Sequence, residues 1–359
     1  MDPITLPALD AWLASSLLQK AIRRGEVVYA TAAAAAFHRM RGNAIWRRLL
    51  LIAFEDIGPA DPKLCIRVTD YATDPLRRKR DGGDKEVLLS LVTRMCATAK
   101  HREADYLICA AKQAPFTEGI RAAYAARSTS QQVVTAGDPQ TPLLERSVAA
   151  WMASGVNGGG PHVLSVGDLS NLMTSFAELG VPAGFTSSAL VAAQRTKEPI
   201  VVMSPLLHLA IGDATIQITE DVRCPPYVLC NGVPSWAFDK HTRVGLSAIR
   251  RLILESAEVN DCISNFVPDY RAIEVAAMGA FYADAIFAHR RMTWLESENL
   301  YSLGLRTDFA KIGTPDDGIL PIAAVIGKNI DHLNDIRKRL REGRLQSSRS
   351  KAYPEGGSR

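Results

Sequence analysis

The chain has 359 residues and a mass of 39.0 kDa, enough for a substantial core and for about two domains at the usual size of ~150 residues each. Apolar residues make up 47% and charged residues 22%, ordinary values for a soluble globular protein that exclude a disordered chain; no apolar run reaches the ~18 residues of a membrane span, and Met1-Asp2-Pro3-Ile4 lacks the basic and apolar regions of a secretory signal, so a cytoplasmic protein with no membrane partner is expected. The net charge of +4 hides an asymmetry, because nine Lys/Arg and four acids lie between Lys328 and Arg359, leaving the rest close to neutral.

In chain order, Leu6 to Arg24 carries Leu9, Leu13, Leu17 and Ile22, with Trp12 and Leu18 beside them, and reads as an amphipathic helix stopped by Gly25. Val27 to Met40 contains the five alanines Ala32 to Ala36, a strong helix former with a smooth face. Arg41-Gly42-Asn43 is a turn. Ile45, Leu49, Ile52 and Phe54, widened by Trp46, Leu50 and Ala53, then repeat at helical spacing. That helix ends at Ile57-Gly58-Pro59, and Asp61-Pro62 supplies an N-cap with proline in the first turn of the next.

These residues resemble the C-terminal helical region of the RarA family (replication-associated recombination protein A, also called MgsA), and more distantly the collar of clamp-loader subunits. The matching features are Arg23-Arg24-Gly25, the run Ala32 to Ala36, and Phe54-Glu55-Asp56-Ile57-Gly58-Pro59-Ala60-Asp61-Pro62; Phe54 and Pro59 depart from the family's small polar and aliphatic residues. The likeness covers residues 12 to 75 and fades beyond about 125. It implies a helical oligomerisation or collar module of DNA replication and repair proteins. Ala32, Ala36, Trp46, Glu55 and Asp56 are its candidate interface residues, and a second copy of the chain or a replication or repair protein its partner.

Further on, Leu64, Ile66, Val68 and Tyr71 continue as a helix to Asp74-Pro75. Arg77-Arg78-Lys79-Arg80 reads as an exposed basic loop, a candidate nucleic-acid contact together with Arg337, Lys338, Arg339 and Arg341 of the basic C-terminal segment. Helices are predicted from Asp84 to about Lys100, Arg102 to Lys112 and Pro115 to Arg127. Ser128 to Pro142 is rich in turn formers and marks the expected boundary between a collar-like module (1–130) and a second, mostly helical domain (143–342). In the second half, helices are expected at Leu143 to Ser154, Asp168 to Leu179, Ser187 to Arg195 and Pro199 to Ile211. Thr215 to Thr219 alternates like a short strand, half of a small hairpin or an extended connection. Ser235 to Glu255, Asp269 to Arg291 and Ile319 to Glu342 read as helices, and residues 343–359 as a disordered basic tail. The fold class is therefore mainly α, with at most a small strand element near 215–230.

Motifs for chemistry are sparse. The phosphate loop of an ATPase needs glycines followed by Gly-Lys-Ser/Thr, whereas Gly155 to Gly160 runs into Pro161-His162 and Gly327-Lys328-Asn329 lacks the hydroxyl. No ATP hydrolysis is expected, and no cofactor. Cys224 and Cys230 supply half of a zinc site at most, and the six cysteines read as reduced thiols. Glu55, Asp56 and Asp61 are too divergent on a helix to form a magnesium cluster, since adjacent residues point ~100° apart. On a helix Asp239 would pair with Arg243, and Asp239 with His241 is the one acid/base couple in view. Three functions remain open: a non-enzymatic accessory protein of DNA replication, repair or recombination; a protein-binding adaptor without DNA contact; and a phosphodiester hydrolase using Asp239 and His241.

Overall fold

A computed structural model describes residues 6, 9–158, 166–220 and 223–352, with side chains as far as 343. The expected loop at 155–161 and the end of the basic tail lie partly outside these residues. The fold is mainly α, helical over 73% of the chain with two small two-stranded sheets.

The first helices form where their caps place them. Helix α1 (Ala11–Arg24) starts at Asp10, whose side chain accepts from the Leu13 amide at 2.8 Å, and stops at Gly25, left-handed at φ 71°. Helix α2 (Val27–Arg41) packs along α1 and against α6 (Asp84–Ala97). Helix α3 (Ala44–Ile52) runs into a π-turn at Ala53–Ile57, and Gly58, at φ 46°, ends it. Asp61 caps α4 (Pro62–Thr73) through the Leu64 amide at 2.9 Å, as its position before Pro62 predicts. The expected basic loop is a helix, α5 (Pro75–Arg80), because Asp74 caps it through the Arg77 amide at 2.8 Å and Pro75 occupies its first turn.

Helix α7 (Glu103–Gln113) lies under α10 (Leu143–Ser154), and between them come α8 (Glu118–Ala125) and α9 (Thr129–Gly137). The expected domain boundary is thus occupied by α9, started by a reciprocal capping box of Ser128 and Gln131 and packed on α10. Helices α11 (Leu169–Glu178), α12 (Ala183–Thr196) and α13 (Ile200–Ile211) extend the layer, and α13 packs back on α7 and the 53–57 turn. One hydrophobic cluster runs from Leu13 through Phe54, Trp151, Phe185, Trp236 and Phe309 to Ile336, so both halves share a core.

Strand β1 (Gln217–Thr219) does not form a local hairpin. It pairs antiparallel with β4 (Arg291–Thr293), Ile218 opposite Met292. The hairpin is β2 (Leu229–Cys230) with β3 (Val233–Pro234), turned by Asn231 at φ 51° and Gly232 at φ 77°, the Asn-Gly chemistry of a tight hairpin. The expected helix from Ser235 begins only with α14 (Arg243–Glu255), capped by Thr242 through the Gly245 amide at 3.1 Å. Gly245 is where the chain crosses itself closely: a Cβ there would sit 2.0 Å from the carbonyl oxygen of Asp239. Helix α15 (Ala257–Ser264) follows. The span 269–291 divides into α16 (Asp269–Ala280), a second π-turn at Phe281–Ala285, and the approach to β4. Helix α17 (Ser297–Ala310) packs on α7. The span 319–342 is two helices, α18 (Asp316–Lys328) and α19 (Ile330–Ala352), parted at Asn329, whose side chain bonds Ser256 at 3.2 Å. Helix α19 continues into the segment expected to be disordered. Among the described residues no helix is long and apolar enough to cross a membrane.

Candidate functional site

Helix α1 packs an apolar face into the core and turns a polar face to a cleft. Leu13, Leu17, Leu18, Ala21 and Ile22 enter the core, as the apolar spacing requires. The opposite face, Trp12, Ser15, Ser16, Gln19, Lys20 and Arg23, repeats at the same helical interval and lines a cleft of about 350 Å³. Lys20 and Arg23 are only 4% exposed, so their charges must be met inside the protein.

Arg23 is met by the residues of the 53–57 turn. Its Nε lies 2.6 Å from Asp56 Oδ1 and its Nη2 2.8 Å from Glu55 Oε1. Gln19 Nε2 donates to Glu55 Oε1 at 2.8 Å and to Asp56 Oδ2 at 2.9 Å, and Arg102 Nε reaches Asp56 Oδ1 at 3.0 Å. Asp56 is fully buried. Burial raises its pKa, but Arg23, Arg102 and the Gln19 amide prevail and hold it below the ordinary value. Glu55 moves the other way: burial, then the neighbouring Asp56 charge, push it up against the pull of Arg23. The backbone ties the same floor together, with His101 N donating to Asp56 O at 2.9 Å and His289 N to Arg23 O at 3.0 Å.

The second wall is residues 239–241, which are not helical. The expected Asp239–Arg243 pair therefore does not form, and Arg243 is exposed at the start of α14. Asp239 instead takes the Lys20 ammonium at 2.6 Å on Oδ2 and the backbone N–H of His241 at 3.0 Å on Oδ1. Burial raises the Asp239 pKa, but the Lys20 charge and hydrogen bond outweigh it and leave the carboxylate below its usual range. Burial lowers the His241 pKa. Among the described residues no hydrogen bond joins the His241 ring to Asp239, so the two are not arranged as an acid/base couple.

Six Lys/Arg side chains line the cleft (Lys20, Arg23, Arg48, Arg102, Lys240 and Lys311) against four carboxylates (Glu55, Asp105, Asp239 and Asp308). Four of the six cations pair with carboxylates: Lys20 and Arg23 as above, Arg102 with Asp56 and with Asp105 at 2.8 Å, and Lys311 with Asp308 at 2.5 Å. Arg48 and Lys240 have no carboxylate partner among the described residues. Arg48 donates to the Gln19 side-chain oxygen while its buried Nε has no partner. Lys240 Nζ has Met278 Sδ at 3.5 Å and the Phe281 ring at 4.8 Å, and burial lowers its pKa. Arg102 Nη1 is likewise buried and unpartnered.

The other candidate residues lie elsewhere. Arg78 is buried, paired with Asp84 at 2.7 Å and stacked 4.4 Å from the Trp46 ring, so it is structural and cannot reach a phosphate. Arg77 pairs with Asp70 at 2.7 Å, and Lys79 and Arg80 are exposed. Arg337 is fully buried against Asp284 and Asn334 and is likewise withdrawn from any DNA contact. Arg339 pairs with Glu255, Arg341 lies over Phe238, and Lys338 is exposed. The candidate interface is covered by the chain itself: Trp46 is 3% and Ala36 6% exposed, Ala32 half-buried. Arg78 stacks on the Trp46 ring, and α2 packs against α6. Asp61 is engaged as a cap, apart from Glu55 and Asp56, and among the described residues no three His, Cys, Asp or Glu side chains gather as a metal site.

Sequence reasoning missed Arg48, Arg102, Lys240 and Lys311. One signal was present, the polar stripe Gln19, Lys20 and Arg23 on a helix whose other face is apolar. Comparison with protein-family models, with curated proteins and with solved structures gave no match.

Proposed function

We propose that this chain is a non-enzymatic accessory protein of DNA replication, repair or recombination that grips nucleic-acid phosphate in the α1 cleft. The observation that carries the reading is the pair of desolvated cations, Arg48 and Lys240, that lack a carboxylate partner among the described residues. Both side chains are half-buried, and a cation partly withdrawn from water with no ion-pair partner at hand favours an incoming anion. The resemblance to the RarA helical region supports the biological setting, and Arg23, Glu55 and Asp56, which carry it, form the cleft floor. Lys79 and Arg80 are the exposed cations of α5 left to add a weaker surface contact.

The test is fluorescence anisotropy of labelled single- and double-stranded DNA on the full chain across a salt series. Affinity is expected to fall with salt, by about 0.7 per neutralised phosphate on logarithmic axes for single strands. Arg48→Met with Lys240→Met should abolish most of it, while Lys79→Ala with Arg80→Ala weakens it only modestly. Absence of binding at low salt, or binding indifferent to Arg48 and Lys240, would overturn the reading.

A further inference from the structure

Besides the α1 cleft, Arg102 lines a second, more enclosed cavity of about 110 Å³. One wall is helical: Glu103 and Tyr106 stand a turn apart on α7, Ser297 and Tyr301 on α17, and the two tyrosine rings meet edge to face at 6.0 Å. The other is extended chain. Lys100 and Arg291 are partners in a parallel β-bridge, with Lys100 N donating to Arg290 O at 2.8 Å and Met292 N to Lys100 O at 2.9 Å.

This cavity has donors in surplus. Glu103 is the one carboxylate of its lining, and both oxygens are used: Ser297 Oγ donates to Oε1 at 2.5 Å, Trp294 Nε1 donates to Oε2 at 2.6 Å, and His101 Nε2 lies 3.1 Å from Oε2. Lys100 is 2% exposed, and its Nζ bonds only the neutral carbonyls of Cys96 and Thr98. Among the described residues neither the Arg291 guanidinium nor the hydroxyls of Tyr106 and Tyr301 have a hydrogen-bond partner, and Arg102 Nη1 is buried without one. Burial lowers Lys100 to about 8, pushes Tyr106 up to about 12 and raises Tyr301, so near pH 7 all three keep protons to donate.

Net charge does not set the occupant. With Arg23 beyond the wall, the cations Arg23, Lys100, Arg102 and Arg291 equal Glu55, Asp56, Glu103 and Asp105 in number. The pairing is uneven instead: Glu55, Asp56 and Asp105 gather on Arg23 and Arg102, and among the described residues no carboxylate pairs with Lys100 or Arg291. The rest of the lining includes Ile286 and Met292, both buried. Phosphate, polar all round, would set oxygens against these side chains at a cost, whereas a carboxylate on a short hydrocarbon chain matches both halves. At about 110 Å³ the space is smaller than the ~150 Å³ that takes benzene and suits about five non-hydrogen atoms.

We infer that this cavity binds a carboxylic acid anion of about three carbons, with Lys100, Arg291 and the hydroxyls of Tyr106 and Tyr301 as donors to the carboxylate and Ile286 and Met292 covering its hydrocarbon end. The experiment is calorimetric titration of the full chain with sodium propanoate at fixed ionic strength, sodium phosphate being titrated separately, and thermal melting with each anion as a second readout. Propanoate is expected to bind at one site and raise the melting temperature, and phosphate to do neither. Arg291→Met should weaken propanoate binding by more than about tenfold and Tyr301→Phe by about tenfold, the scale of one hydrogen bond to a charged group, and the rise in melting temperature should shrink in step. Tyr301→Phe keeps the ring contact with Tyr106, so it decides the matter even where Arg291→Met fails to fold. Binding of neither anion, a preference for phosphate, or propanoate binding indifferent to Tyr301→Phe overturns the inference. Arg48 and Lys240 do not line this cavity, so this site and the nucleic-acid reading stand or fall separately.

Discussion

Adjacent acids of the 53–57 turn should respond very unequally to losing their charge. Asp56 is fully buried and accepts from Arg23 at 2.6 Å, Gln19 at 2.9 Å and Arg102 at 3.0 Å. Asp56→Asn keeps the shape and removes the counter-charge of two buried guanidinium groups, a change that costs about 3–5 kcal/mol when one partner of a buried pair is lost. Glu55 retains 18% side-chain exposure and shares Arg23 with its neighbour, and its ionised form is disfavoured by burial and by Asp56. Glu55→Gln should therefore change stability by less than about 1 kcal/mol. The pH signs differ accordingly. Asp56 is depressed from an ordinary 3.8, so its contribution is complete above that value and fades as pH falls through the folded value. Glu55 is raised from 4.5, so its ionisation weakens the folded state as pH climbs through the raised value. Urea unfolding followed by circular dichroism, with m checked for constancy, measures both variants at pH 7 and at pH 4.5. The Asp56→Asn loss should be the same at the two values, since both exceed 3.8. A loss under 1 kcal/mol for Asp56→Asn, or an equal loss for Glu55→Gln, would refute the assignment.

Gly58→Ala should cost about 1–3 kcal/mol, because φ is 46° and the new Cβ would lie 2.9 Å from Ser204 Oγ, which itself donates to Phe54 O at 2.6 Å; thermal melting reads the loss. Lys20→Met should strand the buried Asp239 and destabilise by about 3–5 kcal/mol, while Lys20→Met with Asp239→Asn recovers more than half, and a double-mutant cycle gives the coupling. Arg78→Ala, which uncovers Trp46 and frees Asp84, should cost about 1–2 kcal/mol and leave DNA affinity unchanged, separating this buried arginine from its exposed neighbours Lys79 and Arg80.

Helix starts and stops were the legible part of the fold, because local chemistry fixes them: Asp10 with Gly25 around α1, Asp61-Pro62 before α4, and the turns at Arg41-Gly42-Asn43. Failures came where tertiary contacts decide. Arg77 to Arg80 looks like a loop by charge, yet Asp74 and Pro75 start a helix and Arg78 is pulled under by Trp46 and Asp84. Residues 239–242 carry helical spacing, but Lys20 claims Asp239 and the chain crosses at Gly245, so the helix waits for Thr242. Strand β1 finds its partner more than seventy residues away, a pairing no local pattern encodes. Of the cleft, Arg23, Glu55 and Asp56 could be singled out in advance as parts of one recognisable stretch, and Asp239 and His241 as an acid beside a histidine. Arg48 looks like any arginine of an amphipathic helix, and Lys240 and Lys311 look like surface lysines until the fold brings them together.

The floor of the cleft depends on two π-turns, a form adopted by well under 1% of residues and often found at functional sites. A regular helix would turn Glu55 and Asp56 about 100° apart; the wider turn at 53–57 lets both reach the same guanidinium. The second, at 281–285, presents Phe281 beneath Lys240 and offers the Ala285 carbonyl to Arg23 Nη1 at 3.2 Å and the Asp284 carbonyl to Arg24 Nη2 at 2.7 Å. Arg23 therefore fastens both turns to the last turn of α1, where a cation also complements the helix dipole. On the proposed reading, an incoming phosphate would meet a floor whose buried side chains are already placed, so binding would lose little to ordering there. Adjustment is left to the non-helical wall at 239–242 and to the long side chains of Arg48 and Lys240, the two cations that the protein itself leaves without a carboxylate among the described residues.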